Sequence, residues 1–300
     1  MLVGGALLLA LAGRTCLAEE FAVQFQPDIQ YGTGGGEPLL LNLARPKLDE
    51  AARQARGPLP AVVCIHGGGW QGGNRSHFDE LARQFAARGY VAATISYRLA
   101  PKHVFPAQIE DCKCAVRWLR AKASELGVDP ERIGAVGGSA GAHLAMMLAV
   151  MDPADGLDGE GGWSDQSSKV QAAVSFVGPT NLVGSFPPVS TAILHTFLGG
   201  SMEEKLELYR KASPITYVNA GDAPLLLFAG TKDPLVPYDQ AFQMTTALHE
   251  AGVPGRVELL IGAGHGWAGK EMERTLRATF EFLDEQLGNK APPPPAASQP

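Results

Sequence analysis

The sequence predicts an α/β protein: a mostly parallel eight-stranded sheet flanked by helices, with a small insertion after the sixth strand. Three observations point that way. Short apolar runs alternate with helical stretches along most of the chain. Several runs lack the polar–apolar alternation of a one-sided sheet, so they read as strands covered on both faces. The residues with chemistry to offer fall just after the carboxyl ends of strands, where open α/β sheets build their sites.

The strand segments, in order, are Phe21–Phe25, Leu39–Leu43, Ala61–Ile65, Val91–Tyr97, Ile133–Val136, Ala172–Val177, Leu225–Ala229 and Val257–Ile261. Helices alternate with them. In Phe78–Arg88, Phe78, Leu81 and Phe85 share one face, and in Ala107–Leu126 Ile109, Cys112, Val116 and Leu119 do the same. Ala140–Met151, Tyr238–Ala251 and Glu271–Leu287 complete the set. Asp152–Ser168 is rich in Gly and Asp and reads as an exposed loop. Gly178–Asp222 is the insertion, with Phe186-Pro187-Pro188, a short apolar helix around Ile193–Leu198 and a charged helix around Met202–Lys211. An excursion of that size over a sheet forms a lid or one wall of a pocket.

The ends of the chain read differently. The run Ala6-Leu7-Leu8-Leu9-Ala10-Leu11-Ala12, followed by Cys16-Leu17-Ala18, is too short to span a bilayer. It reads as a secretory signal peptide over residues 1–18, which predicts a secreted or periplasmic location. Residues 19–290 form one domain, and the tail 291–300, with Pro292-Pro293-Pro294-Pro295, is expected to be disordered. Lys and Arg total 25 against 31 Asp and Glu, and no dense basic cluster appears, which argues against a nucleic-acid partner. Cys112 and Cys114 lie two apart on a helix and point different ways, so they do not bridge each other. Cys64 lies in an apolar strand as a buried thiol, and the four cysteines form no zinc pattern.

Gly137-Gly138-Ser139-Ala140-Gly141 fits G-x-S-x-G between a strand and a helix. A turn this sharp tolerates only small neighbours and lifts the Ser139 hydroxyl above the sheet, at the positive end of a helix. The plain alternative is a Gly-rich turn with an N-cap serine. His66-Gly67-Gly68-Gly69-Trp70 follows the strand Ala61–Ile65. Consecutive glycines can turn N–H groups toward an oxyanion, so Gly67, Gly68 and Ala140 are the candidate donors, with Gly69 able to replace one. No Lys-Ser/Thr follows, which disfavours a phosphate loop, and His66 reads as a structural residue. Asp233 lies four residues after Leu225–Ala229 and His265 four after Val257–Ile261. His77, His103, His195 and His249 lack a Gly-rich strand-end setting, His143 sits behind the serine as a packed residue, and Asp222 precedes its strand.

The order Ser139, Asp233, His265 is that of α/β-hydrolases, and the chain resembles that family over roughly residues 35–288. Tyr97-Arg98-Leu99-Ala100-Pro101, Phe105-Pro106-Ala107, Glu110-Asp111 and Arg117-Trp118-Leu119 resemble both the hormone-sensitive-lipase-like esterases and the bacterial feruloyl-esterase-like carboxylesterases. Ala212-Ser213-Pro214-Ile215-Thr216-Tyr217, Gly230-Thr231-Lys232-Asp233 and Gly262-Ala263-Gly264-His265-Gly266 favour the second group. The resemblance implies a serine carboxylesterase, with acetyl or feruloyl decorations of plant polysaccharide as the expected targets. The triad works through an acyl-enzyme with no cofactor or metal. The apolar residues near the motifs suit a short or aromatic acyl group, and no Arg or Lys stands ready for an acyl carboxylate, so neutral esters are expected. Trp70, Phe176, Phe186, Leu198, Val236 and Trp267 are the candidate pocket walls. The competing readings are a formamidase or other amidase of the same fold, and a non-catalytic hydrolase-fold binding protein.

Overall fold

The computed structural model describes residues 21–289. The signal peptide predicted over 1–18 and the tail predicted over 291–300 lie outside the described residues.

Eight strands form one sheet: β1 (Val23–Gly34), β2 (Glu37–Pro46), β3 (Leu59–Ile65), β4 (Val91–Ile95), β5 (Val128–Gly138), β6 (Ala172–Phe176), β7 (Leu225–Gly230) and β8 (Gly255–Leu260). Their spatial order is β1-β2-β4-β3-β5-β6-β7-β8. β1 pairs antiparallel with β2, and β2 antiparallel with β4, while every pair from β4 to β8 is parallel. β3 is buried along all seven residues because it is covered twice. Val63 and Ile65 join the core on one face, Val62 and Cys64 the core on the other.

The helices are α1 (Glu50–Arg56), α2 (Asp79–Ala87), α3 (Ala107–Ala121), α4 (Ala123–Leu126), α5 (Ala140–Val150), α6 (Pro188–Leu198), α7 (Met202–Lys211), α8 (Asp239–Glu250) and α9 (Lys270–Gln286). α2 and α9 pack in one core through Leu81, Phe85, Leu276 and Leu283. α3, α5 and α8 pack in the other through Ile109, Leu144 and Met244. α5 is buried at every position, which is why it carries no polar face.

Three elements depart from the sequence expectation. β1 runs nine residues past Phe25, into Gln26–Gly34, because it pairs with β2 across a two-residue turn at Gly35 and Gly36, both at positive φ. α1 has no buried residue and so no apolar stripe to read. It is started by Asp49, whose carboxylate accepts the Ala52 N–H at 2.8 Å. The segment Asp152–Ser168 is not a free loop. Three basic side chains on one face of α3 grip its backbone. Lys113 donates to Gly156 O at 2.6 Å and faces Asp158 at 3.2 Å. Arg117 donates to Gly162 O at 3.1 Å, and Arg120 to Lys169 O at 2.9 Å and to Ser167 O. Cys64, Cys112 and Cys114 are buried free thiols, as the spacing implies.

A buried ion pair ties the exit of β4 to α3. Asp111 is 1% exposed and accepts from Arg98 N at 2.8 Å, Nη2 at 2.8 Å and Nε at 3.0 Å, while Glu110 takes Nη2 at 3.0 Å. Replacing Asp111 by Ala leaves a mostly buried guanidinium with one partner fewer. The expected loss is about 3 kcal/mol of unfolding free energy in urea titrations. A loss below about 1 kcal/mol would show the pair to be dispensable.

Candidate active site

Ser139 occupies the turn between β5 and α5 at φ 53° and ψ −118°. No ordinary packing tolerates bulk around it. A Cβ on Gly137 would lie 2.1 Å from Gly141 O, and a Cβ on Gly141 would lie 2.0 Å from Ile65 O. The Ser139 N–H donates to Phe176 O at 2.8 Å, and Ser139 O accepts the first helical bond, from His143 N at 3.0 Å. The strained residue is therefore held on both sides by backbone.

Asp233 and His265 come from the loops after β7 and β8. Those loops touch: a Cβ on Gly230 would lie 2.2 Å from Gly264 O, and Lys232 N donates to Ala263 O at 2.8 Å. The Asp233 side chain is 1% exposed. Its Oδ1 accepts the N–H groups of Leu235 at 2.8 Å and Val236 at 3.0 Å. Its Oδ2 lies 2.8 Å from His265 Nδ1, and His265 Nε2 lies 2.8 Å from Ser139 Oγ. A carboxylate only accepts, so His265 Nδ1 carries the hydrogen and Nε2 is free to accept from the serine hydroxyl. The structure thus brings Ser139, Asp233 and His265 into one continuous line of hydrogen bonds.

The Gly67–Gly69 loop faces this line. A Cβ on Gly67 would sit 3.3 Å from Ser139 Cβ and 2.8 Å from Gly138 O. Gly68 and Gly69 have φ of 119° and 59°, and the turn closes when Gln71 N and Gly72 N donate to Gly68 O, each at 3.0 Å. Among the described residues, the N–H groups of Gly67, Gly68 and Ala140 make no hydrogen bond to the protein. His66 Nδ1 lies 2.8 Å from Gly67 O and must donate to it. Because the peptide is planar and trans, this turns the Gly68 N–H the opposite way, off His66. His66 itself is stacked 4.3 Å from Tyr97, whose hydroxyl donates to His66 O at 3.0 Å. It is a structural residue, as the sequence suggested, and it sets the orientation of the loop.

The predicted pocket walls divide. Phe186 and Val236 are half-buried, and Val236 touches the site through its N–H to Asp233 Oδ1. Trp70, Phe176 and Leu198 are not walls: they are 3%, 5% and 0% exposed. Trp70, at φ 57°, stacks 4.1 Å from Phe197 and meets His143 edge-on. Phe176 packs on Phe228 at 4.8 Å. Trp267 lies with them on the α9 side of the sheet and donates its N–H to Thr275 Oγ1 at 2.9 Å. An aromatic residue next to a catalytic-type loop looks the same in sequence whether it lines the site or anchors the loop. Two side chains the sequence did not single out are closer to the site. On α6, Ser190 Oγ donates to Leu235 O at 2.7 Å, and Ile193 Cγ2 is 3.0 Å from where a Gly69 Cβ would stand.

The BD-FAE family profile matches residues 50–248. The chain belongs to the BD-FAE family. Curated relatives include Esterase LipQ of Mycobacterium tuberculosis, 33% identical over 75% of this chain. The chain spans about half the length of the curated relatives it matches, 53% in the case of LipQ. Among solved structures, the apo form of esterase 2 of Thermogutta terrifontis superposes with a TM-score of 0.75 at 31% identity, covering 89% of this chain and 96% of that one. That esterase has also been solved with propionate and with butyrate bound, and phosphonylated by sarin. A carbohydrate esterase from gut microbiota superposes at 0.75 with 22% identity, a likeness of fold, covering 90% of this chain and 98% of that one. The BD-FAE member described here therefore shares the α/β-hydrolase fold, with its eight-stranded mixed sheet, in full.

Two histidines behind the site make stability depend on pH. Burial pushes both His66 and His143 down to about 4 from 6.5, and His143 spends its Nε2–H on Ala212 O at 2.6 Å. Between pH 4 and 6.5 the unfolded chain binds more protons than the folded one, so stability rises with pH and is complete above 6.5. Asp222, pushed up to about 6 by burial, opposes them in part of that window. Each histidine contributes a slope of about 1.4 kcal/mol per pH unit at most. Urea unfolding at pH 7 and pH 5 is expected to show a lower stability at pH 5. The drop should be smaller in His143→Gln, and equal drops in the two proteins would refute the assignment.

Proposed function

We propose that this protein is a serine carboxylesterase that hydrolyses neutral short-chain or aromatic acyl esters through an acyl-enzyme. The observation that carries the reading is the unbroken line from Asp233 through His265 to Ser139, in two steps of 2.8 Å, beside three N–H groups with no partner among the described residues. His265 Nε2 takes the hydroxyl proton as Ser139 Oγ attacks the ester carbonyl. Asp233 holds the Nδ1–H tautomer and stabilises the imidazolium. The N–H groups of Gly67, Gly68 and Ala140 receive the oxyanion. The imidazolium then protonates the departing alkoxide. Water, deprotonated by the same nitrogen, releases the acid. Every step uses the protein's side chains and backbone and one water.

The substrate class rests on the walls. Phe186, Val236 and Ile193 are apolar, which suits a neutral acyl group. The propionate and butyrate complexes of the Thermogutta esterase support short chains. Acetyl or feruloyl esters of plant polysaccharide are the proposed natural targets, and residues 1–18 the signal for export to reach them. No helix among the described residues is long and apolar enough to cross a membrane.

The test is hydrolysis of p-nitrophenyl esters from acetyl to palmitoyl, with methyl ferulate and acetylated xylan. Ser139→Ala and His265→Ala should each lose on the order of 10⁵–10⁶ in kcat. Asp233→Asn should lose about 10⁴, because the amide no longer selects the working tautomer. Full activity in Asp233→Asn would put the acid elsewhere. No ester turnover by folded wild type would move the reading to formamide substrates or to binding without catalysis.

A further inference from the structure

The excursion between β6 and β7 is fixed to both halves of the site. At its acid end, Ser190 Oγ on α6 donates to Leu235 O, two residues from Asp233. Three residues on, Gln71 Nε2 donates to Ile193 O at 3.3 Å, and the Ile193 side chain closes over Gly69. One turn further, Phe197 stacks on Trp70 with rings 10° from parallel, and its carbonyl accepts Phe105 N at 2.9 Å. α6 therefore crosses the carboxyl ends of the strands from the β7 side to the β3 side as a pinned beam. Gly69 sits at φ 59°, where glycine is favoured, and a methyl there would press on Ile193 Cγ2 at 3.0 Å.

The strand order assigns that beam a role in the reaction. Ser139 leaves β5. His265 follows β8, three strands away on one side, and the Gly67–Gly69 loop follows β3 on the other. In the tetrahedral intermediate the departing oxygen must lie toward His265, which protonates it. The oxyanion lies on the loop N–H groups. The remaining substituent, the acyl chain, is directed away from His265, toward Gly69 and the apolar side chain above it. From this geometry we infer that Ile193 is the end wall of the acyl pocket and sets the length of acyl chain accepted. The inference rests on the esterase reading above and deepens it.

The measurement is kcat/KM of the full chain and two variants, Ile193→Ala and Ile193→Phe, on p-nitrophenyl acetate, butyrate and octanoate. A ratio taken within one protein is insensitive to its folded fraction, and Ile193→Val supplies a milder step if the alanine variant does not fold. The octanoate-to-acetate ratio should rise about tenfold or more in Ile193→Ala, and the butyrate-to-acetate ratio should fall by a similar factor in Ile193→Phe. Ratios within about twofold of wild type in active variants would overturn the inference and leave the esterase reading intact. So would a changed preference among acetates of different alcohols with acyl ratios untouched, which would put Ile193 on the leaving-group side. A wild type that hydrolyses none of the three esters overturns both.

Discussion

The site depends on a contact between backbones. Helix α5 starts so close to β3 that a Cβ on Gly141 would fall inside the Ile65 carbonyl, and one on Gly137 inside the Gly141 carbonyl. No side chain can be inserted between them. That proximity makes the chain reverse within a single residue, and Ser139 absorbs the reversal at positive φ. The cost of such a conformation, of order 1–3 kcal/mol, is offset by the burial of α5 along its whole length. The result is a hydroxyl fixed above the sheet, with the Gly67 backbone directly beside it.

The other groups are then brought to that hydroxyl by loops that fix one another. Asp233 is held on both oxygens: two backbone N–H groups donate to one and His265 donates to the other. A buried carboxylate held at both oxygens has one orientation, and it passes that orientation to the imidazole. The glycine loop is fixed differently. His66 holds its carbonyl and Trp70 its far end, so its free N–H groups are not free to rotate. The N–H groups placed to meet the reacting oxygen are left without a protein partner among the described residues, while the rings that support them are held by packing, His66 on Tyr97 and Trp70 on Phe197.

The parts legible in the sequence were those where one physical requirement excludes alternatives. The central strands were readable because each holds an apolar run bounded by turn residues. The serine turn was readable because only small residues survive there. Asp233 and His265 were readable by their place after strands, in an order shared with a known fold. β1 was readable only in part, since Gln26–Gly34 is polar and its pairing depends on a turn signal, Gly35-Gly36, that lies outside the strand itself. α1 left no signal because it buries nothing. The basic comb of α3 was hidden in a helix that reads as amphipathic, although Lys113 and Arg117 are as buried as its apolar residues.

The pocket was the least legible part, for a reason that bears on function. Trp70 is apolar and adjoins the glycine loop, and Phe176 ends a strand, yet both pack in the core, as does Leu198 on α6. Ile193 is apolar and far in sequence from every reactive residue, yet it overhangs the glycine loop. Reactivity here is local: a strand end, a turn and a few residues define each group, so spacing reveals it. Selectivity is not local, because it is set by where a pinned helix from a distant excursion comes to rest. Members of one family can therefore share the serine turn and the histidine loop while accepting different acyl groups, since the beam across them can change its side chains without disturbing the chemistry beneath.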